Sequence, residues 1–77
     1  MNKAFSTSDF CLATTLVSLG FPILQLDRTD PRRVNFVFAD QKDLQEEINL
    51  FWEEKTLISP MAFYYAQKKL KSLLYMS

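Results

Sequence analysis

The chain has 77 residues, nine basic and nine acidic side chains, one glycine, one cysteine and no histidine. Zero net charge argues against a uniformly basic nucleic-acid binder. The missing histidine and lone Cys11 remove Ser-His-Asp and Cys-His catalysis, the common zinc and haem sites and any internal disulfide.

One glycine leaves no Gly-rich phosphate loop, so neither cofactor nor metal is expected. Seven Phe, three Tyr and one Trp supply a core, each buried ring removing roughly 150–250 Å² from water. A single compact domain over residues 1–77 is the expectation, with no linker or low-complexity stretch. The start MNKAFSTSDF carries no apolar run resembling a secretory signal. No apolar stretch approaches the roughly 20 residues of a membrane helix. A reducing cytoplasm is the expected compartment. Charge is unevenly distributed. Residues 40–55 hold Asp40, Asp43, Glu46, Glu47, Glu53 and Glu54 against Lys42 and Lys55. Residues 59–77 hold Lys68, Lys69 and Lys71 with no acid.

In chain order, residues 1–6 offer a short extended segment through Ala4 and Phe5. STSD then signals a helix start, with Ser6 and Asp9 spaced like a capping box and Ser8 as the alternative cap. Leu12, Ala13, Leu16, Val17 and Leu19 share one face of a helix from Asp9 to Leu19. Gly20 ends it and Pro22 prevents its resumption. Cys11 in the first turn reads as a buried structural residue, the alternative being a thiol activated by the helix start.

A strand over Ile23 to Asp27 follows, with Leu24 and Leu26 as its inward set. A second runs from Arg33 to Ala39, where Val34, Phe36 and Phe38 alternate with Arg33, Asn35 and Val37. Pro31 suits the second position of a type I turn. About five connecting residues cannot make a parallel crossover, so the strands pair as an antiparallel hairpin. Asp40 caps the next helix, whose buried stripe is Leu44, Ile48, Phe51 and Trp52. Glu46, Glu47, Glu53 and Glu54 form its solvated side; the alternative, paired carboxylates for acid–base or metal chemistry, needs that same spacing. Ser59-Pro60 opens a third helix to about Tyr75, with Ile58 and Phe63 as a hydrophobic staple. It buries Ala62, Phe63, Ala66, Leu70, Leu73 and Leu74. The predicted fold is α+β: a small antiparallel sheet, the hairpin plus an N-terminal third strand, covered on one face by three helices in the order (β)αββαα.

Three surfaces are candidates for binding. The far face of the hairpin carries Ile23, Gln25, Asn35 and Val37, apolar enough for dimer packing or partner docking, and its open edge offers strand addition. Arg28, Arg32 and Arg33 crowd the hairpin tip, where they could grip phosphates or carboxylates. Asp27 and Asp30 lie in the same turn and are placed to neutralise two of the three. On the last helix Tyr64, Lys68, Lys71 and Tyr75 follow one another beside the buried stripe. That suits backbone contact and base stacking on nucleic acid, or lysines favouring the helix C-terminus while tyrosines cover the core edge.

The blocks FSTSDFCLATTLVSLGFPIL, DPRRVNFVF and LKSLLY, with FW between them, resemble a family of very small bacterial and phage-borne proteins catalogued as a domain of unknown function. The resemblance spans nearly the whole chain and rests on structural motifs. It implies a stand-alone accessory protein of phage or mobile-element type and supplies no catalytic residue. The expected function is a non-enzymatic, self-associating protein-binding module using Ile23, Gln25, Asn35 and Val37. Its partner is a second copy or another protein, with neither membrane nor small-molecule substrate. The alternative is a nucleic-acid-binding module using Arg28, Arg32, Arg33, Tyr64, Lys68, Lys71 and Tyr75.

Overall fold

Six elements follow one another in the computed structural model, which describes residues 3–75. They are β1 (Ala4–Thr7), α1 (Phe10–Ser18), β2 (Ile23–Asp27), β3 (Asn35–Ala39), α2 (Lys42–Trp52) and α3 (Pro60–Tyr75). This is the predicted α+β order. The extended segment expected over residues 1–6 is described from Lys3 onward, and Met1 and Asn2 lie outside the described residues.

The sheet order is β1-β3-β2, every pairing antiparallel, so the last strand in sequence is the central one. β1 and β2 therefore run parallel to each other, with α1 as the crossover between them. Phe36 and Phe38 of β3 point inward and form the core with Leu12, Ala13 and Leu16 of α1, Leu44 and Ile48 of α2, and Leu70 of α3. The molecule measures 33 × 33 × 18 Å, a slab one helix layer and one sheet layer thick.

Local sequence sets each boundary. β1 keeps the backbone extended through Ser6 and Thr7, so the first residue able to cap α1 is Asp9, not Ser6 or Ser8. Its Oδ1 accepts from Leu12 N at 3.0 Å, while Thr7 Oγ1 accepts from Asp9 N at 3.0 Å. At the other end Gly20 takes a φ of 102°. Its N–H donates to Val17 O, and Phe21 N–H donates to Leu16 O, both at 3.0 Å, the paired bonds of a Schellman ending. α1 is buried more widely than its apolar stripe implies. Thr14 and Thr15 are also buried, each hydroxyl donating to the carbonyl four residues back, at 2.7 and 2.8 Å. Cys11, expected inside, is exposed.

β3 begins at Asn35 rather than Arg33, because Asp30 to Arg33 form the connecting turn. Arg33 N–H closes it on Asp30 O at 3.3 Å, with Pro31 in its second position. Asp40 is not the cap of α2. Its N–H still pairs with Lys3 O at 3.0 Å, so the backbone stays strand-like and capping passes to Gln41, which makes no side-chain cap bond. The Asp40 carboxylate instead accepts from Gln45 Nε2 at 2.8 Å. α2 stops at Trp52 in a second Schellman ending, with Glu54 at a φ of 60°. Glu54 N–H reaches Phe51 O at 3.0 Å and Lys55 N–H reaches Leu50 O at 2.9 Å. Ser59 caps α3, its Oγ accepting from Met61 N at 3.2 Å, with Pro60 as the first helical residue. Among the described residues no helix is long and apolar enough to cross a membrane.

Candidate functional site: the exposed surfaces

The sheet's outer face does not match the expected patch. A bulge between Ile23 and Gln25 shifts the register, so Ile23 pairs with Phe38 and packs against the core. One inserted residue turns every earlier side chain of the strand to the opposite face. Leu24, expected inside, is the residue displaced outward, at 57% exposure. Val37 does lie opposite the core, flanked in register by Ser6 and Gln25, yet only 6% of it is exposed. Asn35 is half-buried and Gln25 exposed. The four residues therefore form no exposed apolar patch. Beside the β2 edge runs a groove of about 320 Å³, whose lining includes Val17, Ile23, Leu24, Leu26, Lys69 and Leu73.

The tip arginines are divided. Arg28 folds back over the end of α3, its Nη2 donating to Leu73 O at 3.2 Å and Leu74 O at 3.1 Å. A guanidinium on the last carbonyls of a helix satisfies orphan acceptors and opposes the dipole. Arg32 and Arg33 are exposed and, among the described residues, form no ion pair. The turn aspartates bind backbone instead. Asp30 Oδ1 accepts from Arg32 N at 2.8 Å, and Asp27 Oδ1 from Thr29 N at 2.9 Å. The Thr29 hydroxyl, and then its N–H, hold the Asp27 carboxyl below its ordinary range. An open-mouthed cavity of about 340 Å³ lies against Arg32 and Arg33, floored by Phe10, Val34, Phe36 and Leu74.

Tyr64, Lys68, Lys71 and Tyr75 are all exposed along α3. Lys68 Nζ stands 5.2 Å from the centroid of the Tyr64 ring, a cation–π distance. Tyr64 and Tyr65 rings lie 5.7 Å apart.

The surface that sequence periodicity misses is the corner between α2 and α3. Trp52 is 61% exposed and Leu57 91% exposed, and Met61, Tyr64 and Tyr65 beside them in sequence are exposed too. Trp52 belongs to the apolar stripe of α2 by spacing. It falls in the terminal turn, beyond the reach of the core, and packs edge-on against Phe51 at 4.9 Å. The four acids of this region are not all on α2. Glu53 is the C-cap and pairs with Lys55 at 3.4 Å, and Glu54 lies past the helix end. Among the described residues no group of three or more Cys, Asp or Glu could hold a metal ion.

No curated protein and no solved structure matches the chain. A family model does, over residues 2–76, and its description is that of a domain of unknown function. On a match of that extent, the chain belongs to the family DUF5659.

Proposed function

We propose that this chain is a non-enzymatic, self-associating protein-binding module, an accessory factor of phage or mobile-element type working in the cytoplasm. Its interface is the α2–α3 corner. The observation that carries this reading is the run of exposed large apolar side chains from the end of α2 through the link into the first half of α3: Trp52, Leu57, Met61, Tyr64 and Tyr65. A loop residue as open as Leu57, at 91% exposure, has no role in the monomer's core, and several large apolar side chains left open in one stretch of chain suit an interaction site. Aromatic and methionine side chains are the types enriched at interfaces.

A second copy fits this surface by charge. α2 carries Asp43, Glu46 and Glu47 along its length, and α3 carries Lys68, Lys69 and Lys71 in its second half with no acid. A two-fold dimer sets α2 of each copy against α3 of the other and satisfies both signs twice. The apolar centre makes association tolerant of salt. Light scattering across concentration, at low and high salt, checks this. Wild type should be dimeric in both, and Leu57→Asp and Tyr65→Glu should be monomeric with unchanged circular dichroism. A wild type that stays monomeric at high concentration overturns the proposal.

A second reading draws on the acid-free face of α3, where Tyr64, Lys68, Lys71 and Tyr75 are all exposed. It is single-stranded nucleic-acid binding by stacking and phosphate contact. Binding of that kind weakens steeply with salt, and it is favoured if a monomeric wild type binds an oligonucleotide at low salt.

A further inference from the structure

We infer that the cavity at the hairpin tip receives the free C-terminal carboxylate of a polypeptide whose last residue is apolar. Two halves of such a ligand are complemented side by side. Arg32 and Arg33, consecutive and exposed, stand at the cavity and form no ion pair among the described residues. Two guanidiniums suit two carboxylate oxygens. Phe10, Val34, Phe36 and Leu74 supply an apolar floor, and Phe10 and Phe36 are locked edge-to-face at 6.3 Å and 67°.

The nearby acids are already committed to backbone donors. Asp30 accepts from Arg32 N, Asp27 from Thr29 N and Asp9 from Leu12 N. They lower the field at the tip without bridging to the two guanidiniums. Pro31 and the Arg33 N–H to Asp30 O bond fix the backbone of the turn that presents the arginines, so the ordering cost on binding is confined to the two side chains. The open mouth decides the ligand class. A small molecule would keep much of its surface in water, whereas ligand sites usually enclose most of it. A chain end can insert its last side chain and leave through the opening. A bare phosphate would meet the arginines and leave the floor unused.

The test titrates isotope-labelled full-length protein with acetyl-Ala-Ala-Leu, its C-terminal amide, acetyl-Ala-Ala-Gly and inorganic phosphate. The free-acid leucine peptide should shift resonances of Phe10, Arg32, Arg33 and Leu74. The amide and the glycine peptide should each bind about tenfold weaker or less. The double substitution Arg32→Ala with Arg33→Ala should abolish the preference for acid over amide while amide dispersion stays native. Equal binding of acid and amide, equal binding of the glycine peptide, or no binding overturns the inference. So does phosphate binding as tightly as the leucine peptide. Self-association through the α2–α3 corner is unaffected by any of these results.

Discussion

Gly20 and Glu54 occupy the same structural position, the left-handed residue after a helix, with φ of 102° and 60°. A Cβ on Gly20 would meet nothing within 4 Å, so the cost of Gly20→Ala is conformational alone. It should lower stability by about 1–2 kcal/mol. Glu54 already bears that strain, and Glu54→Gly should raise stability by about 0.5–1 kcal/mol. Denaturant melts of the two variants check both signs. Asp27 gives a pH prediction. Its folded-state carboxyl titrates below its ordinary value, held there by Thr29, so its contribution to stability is present above the unfolded value. The contribution is lost as pH falls through the folded value. Asp27→Asn should therefore flatten the fall in stability below about pH 4, measured as melting temperature against pH.

At the scale of elements, α3 is held at its start by Ser59 and Pro60 and at its end by Arg28. The arginine therefore acts as a strut between hairpin and helix rather than as a free ligand-binding group. Arg28→Ala should cost about 1 kcal/mol and speed amide exchange in the last turn of α3, leaving exchange in β1 unchanged. Most element boundaries were legible in advance because they rest on local chemistry: Gly20 before Pro22, Pro31 in a short connection, Ser59 before Pro60. What was not legible depends on pairing. The bulge at Leu24 leaves the sequence ILQLD looking like an ordinary strand, yet it reverses Ile23 and exposes Leu24. Asp40 looks like a cap because nothing local reveals that Lys3 O holds its N–H in the sheet. Trp52 shares the spacing of Leu44 and Ile48, and only the length of α2 relative to the core puts it outside.

For the whole molecule, the inner face of the sheet and three helices supply the core cluster, with Val37 buried on the opposite face, and charge is split between helices rather than balanced within each. α2 is acidic and α3 basic, with exposed Trp52 ending the first, Leu57 in the link, and Met61 and Tyr65 exposed in the second. The tip arginines and the outer sheet face, the more conspicuous features of the sequence, prove to be a helix strut with two arginines left exposed, and a sheet face with its valine largely covered. In the proposed dimer a second copy covers the α2–α3 corner, with acid set against lysine. Charge exchange tests this arrangement, by sedimentation of Asp43→Lys with Glu46→Lys, of Lys68→Glu with Lys71→Glu, and of their equimolar mixture. Each variant alone should sediment as a monomer at low salt, and the mixture as a heterodimer. Variants that dimerise as wild type does, or a mixture that stays monomeric beside a dimeric wild type, would contradict it.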